Sequence, residues 1–338
     1  MGSETSNRVW RLTARPKGNE FKNALDLKEE PIPVPQDGEL LVKNRILSMD
    51  SGTRMYMTDR EDSYQPGTPL GDPMLGTVIG EVAQSKHPAY REGDLVRCYG
   101  NWSDWSIAAP ELAYVAKLDG KEANLADYVG IVGANGWTAF LGVVDYGAAR
   151  AGDTFLVSAA AGCTGSLAGQ IAKIAGCRTI GLAGTDDKCT FLKNELGFDD
   201  AVNYRCEDLA AAIRSACPNG INLYFDNVGG DVLDAALVNM ADFGRVAVCG
   251  LLANYSAEGP VPGPYKFDLV LMKRLTIQGF FSPDFYHRES EINPILRQWR
   301  DAGLLKLPIE ETVGLENTVE AYSKLFTGAN IGKVVVRV

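Results

Sequence analysis

Hydrophobic positions along the chain follow two different patterns. Over residues 1–126, short alternating runs such as 39–47 and 76–83 are separated by breaks rich in proline and glycine. Alternation with a period of two is typical of half-buried strands, so this part is predicted to be a β-rich domain. Over residues 127–302, apolar runs alternate with segments of helical period. That pattern indicates buried parallel strands joined by helices.

Six apolar runs of the second region are predicted to be strands, at 155–160, 179–183, 201–204, 223–227, 245–249 and 276–281. Helices are predicted at 165–175, 187–196, 207–216, 231–241 and 266–273. Gly176, Gly197 and Gly220 stand where a left-handed residue is expected to end a helix. The chain is therefore predicted to be an α/β protein with a doubly wound, six-stranded parallel sheet, the Rossmann fold. A late strand is predicted to return residues 303–338 to the first domain.

The first strand of that sheet ends in a turn of small residues. Residues 154–166 read Thr-Phe-Leu-Val-Ser-Ala-Ala-Ala-Gly-Cys-Thr-Gly-Ser. A strand, a tight turn and a helix start of this kind direct free N–H groups at a pyrophosphate. Gly162, Cys163, Thr164 and Gly165 are therefore predicted to bind one. Close packing of a helix on a strand also produces such glycines, but the position in the first βα unit favours a dinucleotide site.

The end of the second strand bears on the choice between NAD and NADP. An acid there normally accepts from the ribose 2′-OH of NAD, whereas this chain reads Leu-Ala-Gly-Thr at 182–185. Gly184 leaves room for a 2′-phosphate, Lys188 supplies a cation and Tyr204 an O–H donor, so NADPH is predicted. Asp186 and Asp187 can approach the ribose or repel a phosphate. We prefer to interpret them as an N-terminal helix cap, where the dipole favours carboxylates.

Composition and charge argue against several classes of protein. The 338 residues carry a net charge of −10, which is unlike a nucleic-acid-binding protein. No apolar run reaches the ~20 residues of a membrane helix, and the first residues lack an apolar signal segment, so a cytoplasmic protein without a membrane partner is predicted. Seven scattered cysteines indicate reduced packing thiols. With only two histidines, a histidine-rich metal site is excluded and no metal is predicted.

Motifs of a known family run along essentially the whole chain. They are Asn-Arg at 7–8, Ala-Arg-Pro-Lys-Gly at 14–18, Leu-Ser-Met-Asp at 47–50 with Arg54, Gly-Trp-Thr-Ala at 136–139, the glycine turn through Gly-Gln-Ile-Ala-Lys at 169–173, Ala-Gly at 183–184 with Asp-Lys-Cys at 187–189, Glu-Leu-Gly-Phe at 195–198, Ala-Cys-Pro-Asn-Gly-Ile at 216–221, Asp-Asn-Val-Gly-Gly at 226–230, Val-Cys-Gly at 248–250, Asn-Tyr at 254–255, Gln-Gly-Phe at 278–280 and Asn-Ile-Gly-Lys at 330–333. Together they resemble the zinc-independent medium-chain dehydrogenase/reductases, and among these the curcumin, prostaglandin and alkenal double-bond reductases.

The resemblance implies a GroES-like N-terminal domain over 1–126 with 303–338, and a Rossmann NADP-binding domain over 127–302. It implies that Lys188 and Tyr204 hold the 2′-phosphate and that Tyr255 lies near the nicotinamide ribose and the substrate carbonyl. The other implied cofactor contacts are Thr138, the pyrophosphate turn, Gly184, Asn227, Cys249, Phe280, Phe281, Ser282 and Asn330.

The substrate pocket departs from the family pattern. Members often read Asp-Pro-Tyr-Met-Arg where residues 50–54 are Asp-Ser-Gly-Thr-Arg, so the usual pocket tyrosine is replaced by Gly52. Asp50, Arg54 and Tyr64 are candidate pocket residues. For the aromatic residues of this domain, including Tyr64, core packing or simple exposure is an equally good interpretation.

The reaction predicted from the resemblance is reduction of an α,β-unsaturated ketone or aldehyde by hydride transfer to the β-carbon. Tyr255 would stabilise the enolate and relay a proton, with solvent as the alternative proton source; by sequence alone it also fits a surface loop tyrosine. The alternatives are an NADPH:quinone oxidoreductase and a non-catalytic NADPH-binding protein. A homodimer is expected to protect the edge strand at 276–281.

Overall fold

The computed structural model describes residues 6–60, 66–256, 261 and 263–338, so the prediction for Tyr64 lies outside the described residues. The chain forms two compact units. The first runs to Val129 and takes in Ile309–Ala329 and Val334–Val338, and the second consists of Gly130–Pro308 and Asn330–Lys333.

Strands and α-helices of the described residues are numbered separately, each in chain order. The strands are β1 (Asn7–Leu12), β2 (Leu25–Glu30), β3 (Leu40–Met49), β4 (Leu75–Ser85), β5 (Leu95–Asn101), β6 (Trp105–Ala108), β7 (Val115–Lys117), β8 (Thr154–Val157), β9 (Arg178–Ala183), β10 (Asp200–Asn203), β11 (Ile221–Asp226), β12 (Met240–Val248), β13 (Thr276–Gly279), β14 (Ile309–Val313) and β15 (Lys333–Arg337). The α-helices are α1 (Ala134–Phe140), α2 (Cys163–Ile174), α3 (Asp186–Asn194), α4 (Leu209–Ala216), α5 (Gly230–Asn239), α6 (Asp268–Met272), α7 (Glu289–Asp301) and α8 (Thr318–Thr327).

The first unit is a β-rich domain built on a seven-stranded sheet. Its strand order is β14-β15-β3-β4-β5-β7, with β6 paired to β3, and β1 and β2 form a separate antiparallel ribbon. β15 pairs antiparallel with β3 and buries Val334, Val335 and Val336. Helix α8 adds Tyr322, whose ring centroid lies 5.0 Å from that of Trp102. The core of this unit is therefore assembled from both ends of the chain.

The second unit contains the predicted six-stranded parallel sheet. The strand order is β10-β9-β8-β11-β12-β13, which confirms the doubly wound fold. The direction of winding reverses between β8 and β11, and ligands of such sheets bind in the crevice at that point, outside the carboxyl ends of the strands. Gly176, Gly197 and Gly220 have φ of +85°, +71° and +81°, so the predicted left-handed helix ends are present.

Helix α2 fits against the sheet because its inner face is made of small and apolar residues. Leu167, Ala168 and Ile171 are fully buried, and each large apolar side chain contributes roughly 1.5–3 kcal/mol by burial. Gly169 faces the ring of Phe198, which a Cβ at this position would approach to 2.0 Å. The start of α2 is thereby held at the end of β8. No helix in the described ranges is both long and apolar enough to cross a membrane.

Candidate cofactor site

The turn between β8 and α2 is tight enough to demand a glycine. Ala159 has a left-handed φ of +50°, a conformation that costs a non-glycine residue energy. A Cβ on Gly165 would come within 2.4 Å of the Ala159 carbonyl oxygen, whereas one on Gly162 would meet the same oxygen at 3.2 Å. The first turn of α2 can therefore sit on the strand end, with N–H groups such as those of Thr164 and Gly165 lacking helical acceptors.

A segment from the far end of the chain lies along this turn. Gly332 N donates to the Ala161 carbonyl oxygen at 2.8 Å, and Gly332 has a φ of +71°. The carbonyl oxygen of Asn330, which is buried, accepts a hydrogen bond from Lys188 Nζ at 2.6 Å. Three separately predicted cofactor contacts, the glycine turn, Lys188 and Asn330, therefore belong to one region of the second unit.

The ends of β9 and β10 suit a phosphorylated ribose. A Cβ on Gly184 would lie 2.9 Å from Tyr204 Oη. The glycine therefore leaves the space that this hydroxyl occupies. The cap of α3 is Thr185, whose hydroxyl accepts from Lys188 N at 3.3 Å. Asp186 lies in the first helical turn and accepts from Asn203 Nδ2 at 2.9 Å. The interpretation of the two acids as the helix cap is therefore wrong: the capping side chain is Thr185, and Asp186 and Asp187 follow it in the first turn, where the dipole still favours carboxylates.

Arg205 is a candidate cofactor residue that the sequence reasoning missed. Its guanidinium carbon lies 5.9 Å from the centroid of the Tyr204 ring, and the residue is exposed. Its backbone N–H donates to Asn203 Oδ1 at 3.1 Å, which fixes the chain next to Tyr204. A cation directly after a tyrosine that ends a strand was the signal available in the sequence.

At the carboxyl ends of β11 and β12, two loops are connected by backbone hydrogen bonds. Cys249 N donates to the Asp226 carbonyl oxygen at 2.8 Å, and Leu252 N to that of Asn227 at 3.2 Å. The side chain of Asn227 donates from Nδ2 to the Ser158 carbonyl oxygen at 2.7 Å. The predicted contacts Asn227 and Cys249 are therefore neighbours at the crevice end of the sheet.

Tyr255 lies in the second of these loops with its hydroxyl turned back to the strand end. Leu251 N donates to Tyr255 Oη at 3.3 Å, and a Cβ on Gly250 would lie 2.9 Å from that oxygen. Because the hydroxyl oxygen accepts this bond, its proton is available for another acceptor. Burial raises the pKa of Tyr255 to about 12, so the phenol stays protonated at neutral pH. The pKa of the Cys249 thiol is likewise raised to about 12 by burial.

Asp226 is a second residue to which the sequence reasoning gave no role. Its side chain is buried, and Oδ1 accepts from Tyr224 Oη at 2.7 Å, Ser158 Oγ at 3.3 Å and the backbone N–H groups of Val228 and Gly229 at 3.0 Å each. Burial raises the pKa of Asp226 against the effect of these donors.

The remaining predicted cofactor residues lie in the same unit. Thr138 Oγ1 donates to the Ala134 carbonyl oxygen at 2.6 Å, and Thr164 Oγ1 accepts from Asn135 Nδ2 at 3.2 Å. The ring of Phe280 stacks on Tyr146 with centroids 4.9 Å apart, so its side chain is a packing element. Phe281 and Ser282 begin a 3₁₀ helix.

Asp50 and Arg54 belong to the first unit. Arg54 lies in a 3₁₀ helix at Ser51–Met57, and Asp50 directly precedes that helix. Asp50 accepts from Ser48 Oγ. The buried guanidinium of Arg54 donates from Nη2 to the carbonyl oxygens of Gly18 at 2.8 Å and Pro16 at 3.2 Å. These bonds give Arg54 a part in holding the loop at 16–18.

Within the residues that the structure describes, no three His, Cys, Asp or Glu side chains come together as a possible metal site. The donor set for a cofactor is different: helix N–H groups, a lysine, a tyrosine hydroxyl and a glycine-lined strand end. These residues fit a dinucleotide with a phosphorylated ribose.

Comparisons with known proteins show similarity to NADPH-dependent oxidoreductases. The chain matches a family described as the N-terminal domain of oxidoreductase over residues 8–115, and one described as zinc-binding dehydrogenase over 163–298. It is 37% identical to the NADPH-dependent curcumin reductase of Escherichia coli (strain K12), covering 100% of this chain and 99% of that protein. It is also 37% identical to the 2-alkenal reductase (NADP(+)-dependent) of Nicotiana tabacum, with the same coverage. The solved structure of CurA from Vibrio vulnificus in complex with NADPH is 35% identical, with a TM-score of 0.91 over 98% of both chains.

Proposed function

This chain belongs to the medium-chain dehydrogenase/reductase family, in the group of the curcumin, alkenal and prostaglandin reductases, and we propose that it reduces the C=C bond of α,β-unsaturated ketones and aldehydes. It is an NADPH-dependent oxidoreductase of that group. The observation that carries the proposal is Tyr255 at the crevice end of the parallel sheet, a protonated phenol whose O–H has no acceptor among the residues that the structure describes.

The cofactor is held, in this proposal, by the residues of the second unit. N–H groups of Thr164 and Gly165 take the pyrophosphate, and Lys188, Tyr204 and Arg205 surround the 2′-phosphate. Asn227, Asn330, Thr138, Cys249, Phe280, Phe281 and Ser282 supply further contacts. When bound, NADPH supplies the hydride.

Stabilising charge on the substrate carbonyl oxygen is the task we assign to Tyr255. Addition of hydride at the β-carbon places negative charge on that oxygen, and a positioned O–H donor stabilises an enolate. A pKa of about 12 makes this phenol a weak acid, which favours hydrogen bonding over full proton transfer. We therefore propose that solvent protonates the α-carbon.

The proposed reaction does not use zinc. A catalytic zinc site takes three protein ligands, commonly histidine or cysteine, and the chain has only two histidines. His87 contacts Glu111 on the first unit, and His287 lies in the 3₁₀ helix Ser282–Arg288 of the second.

The test is the oxidation of NADPH, and in parallel of NADH, against a panel of an enone, an enal, a quinone and the matching saturated ketone. Turnover of the enone or enal with NADPH preferred, and none of the saturated ketone, is the expected result. Turnover of the quinone alone would replace the proposal with a quinone oxidoreductase. Tight binding of NADPH without turnover of any acceptor would indicate a binding protein.

We also propose that the protein is a homodimer joined at β13. This strand is one of the two edge strands of the parallel sheet, and an open edge allows pairing with a second copy. Phe243, Phe267, Leu271 and Met272 are between 61% and 75% exposed. Phe243, within β12, and Arg274, two residues before β13, also have left-handed φ of +61° and +52°, a conformation that is unfavourable for side-chain-bearing residues.

A further inference from the structure

The two oxygens of the Asp226 carboxylate differ in their hydrogen bonding. All four of its hydrogen bonds fall on Oδ1, while Oδ2 is buried and has no hydrogen-bond partner within the described ranges. The residue is completely inaccessible to solvent. It stands at the end of β11, and its bond to Ser158 Oγ connects the strand end of β11 to that of β8, where the sheet reverses its winding.

Four donors on a single oxygen favour the ionised form of a carboxyl group. The neutral oxygen of an asparagine side chain is a weaker acceptor, and its amide N–H groups would lie where Oδ2 has no partner. A buried carboxylate costs free energy because it loses its hydration. No side-chain cation contacts Asp226 in the described part of the chain to offset that cost. The property that the aspartate adds is therefore its charge.

The charge lies where it can act on the bound cofactor. Asp226 precedes Asn227, and its backbone carbonyl oxygen accepts from Cys249 N and from Gly250 N, the residue next to which the Tyr255 hydroxyl lies. In the proposed function this crevice receives the nicotinamide half of the cofactor. The oxidised nicotinamide ring carries a positive charge that the reduced ring lacks, and a fixed negative charge nearby favours the oxidised form.

We propose that Asp226 is an electrostatic positioning residue, whose buried negative charge makes the site bind NADP⁺ more tightly relative to NADPH and thereby favours hydride release. The inference rests on the proposed function, because it requires a nicotinamide cofactor in this crevice. It assigns Asp226 no contact with the cofactor and no proton transfer.

The experiment compares the dissociation constants of NADP⁺ and NADPH for the wild-type protein and Asp226→Asn, each measured by fluorescence titration. Asp226→Asn keeps the acceptor oxygen and removes the charge. We expect the ratio Kd(NADP⁺)/Kd(NADPH) to rise about threefold to thirtyfold, the effect of one charge at site distances and an effective dielectric constant near 20. Asp231→Asn is the matched control: that aspartate, five residues away on α5, is exposed, so water screens its charge and the ratio should stay unchanged.

An unchanged ratio in folded Asp226→Asn, or equal weakening of both cofactors, would overturn the inference and leave Asp226 as a hydrogen-bonding scaffold. Failure of wild-type protein to bind either cofactor would instead refute the proposed function and this inference with it. Failure of wild-type turnover with normal cofactor binding would refute the enone reaction alone.

If Asp226→Asn does not fold, the wild-type protein provides the test through pH. The ratio should rise as pH falls over the range in which the protein stays folded, because protonation removes the charge of a carboxyl whose pKa is raised by burial. The facing groups Tyr224, Cys249 and Tyr255 all have pKa values raised by burial, to about 12 for the last two, so they stay neutral throughout. Ionisation of the 2′-phosphate is common to both cofactors and cancels in the ratio. A flat ratio would overturn the inference.

Discussion

Tyr255 owes its proposed role to a single hydrogen bond. Because its oxygen accepts from Leu251 N, its proton is left for the enolate oxygen. We expect Tyr255→Phe to lower kcat at least about tenfold, or ~1.4 kcal/mol of transition-state stabilisation. Steady-state turnover of an enone measures this, with Tyr265→Phe as control because the Tyr265 ring is 76% exposed. An unchanged kcat would make Tyr255 a packing residue.

The pH profile gives a second test of Tyr255. Its pKa is raised to about 12, so the protonated donor form persists up to alkaline pH and is lost only as pH approaches that value. We expect kcat for the enone to show no decline from ionisation of Tyr255 between about pH 6 and pH 9. A kcat that falls above about pH 8 in the wild type but not in Tyr255→Phe would show that the pKa of Tyr255 is not raised.

Lys188 is expected to decide cofactor preference at the residue scale. Its ammonium already contacts the Asn330 carbonyl oxygen, which holds it at the ribose end of the proposed site. Lys188→Ala should weaken NADPH by about 1.5–3 kcal/mol, about 10- to 100-fold, and leave NADH nearly unchanged. Lys193→Ala, an exposed lysine of the same helix, is the control. Equal losses for NADPH and NADH in a titration would contradict the assignment.

At the scale of elements, the junction of β8 and α2 depends on Gly165. A Cβ there would meet backbone atoms, with the Ala159 carbonyl oxygen at 2.4 Å, so the helix start has to move. We expect Gly165→Ala to lower the free energy of unfolding by about 1–3 kcal/mol and to weaken NADPH. Urea unfolding measures the first effect. Gly263→Ala, at an exposed position where a Cβ meets no atom within 4 Å, should be neutral, and equal stability of the two variants would refute the steric argument.

The strands and helices that could be predicted are those whose pattern of apolar positions lies within their own segment of sequence. The six strands and the helices between them follow from periodicity, since each pattern reports on its own segment. The cap of α3 is a different case, because the two acids at 186–187 were predicted to cap the helix, whereas the side chain that accepts the N–H of Lys188 is that of Thr185. Ala159 shows a similar limit, because a left-handed alanine has no sequence signal.

For the whole molecule, we expect a homodimer in solution. Leu271→Glu places a charge on an exposed apolar surface next to the edge strand β13, and burying that charge in an interface is costly. The variant should elute as a monomer by size-exclusion chromatography with light scattering, while the wild type gives a dimer. Leu112→Glu, at a side chain 88% exposed on the first unit, should remain dimeric. A monomeric wild type would refute the proposal.

The sequence by itself determined the fold class, the glycine turn after β8 and the absence of an acid at the end of β9, because these depend on local period and residue type. It also carried the motifs that identify the family. Only the tertiary structure decided which residues meet. Lys188 reaches the Asn330 carbonyl oxygen across 142 positions, and Ser158, which is 68 positions from Asp226 in the chain, donates from Oγ to its Oδ1. Such contacts arise where strand ends converge at the reversal of the sheet, and no local pattern encodes that convergence.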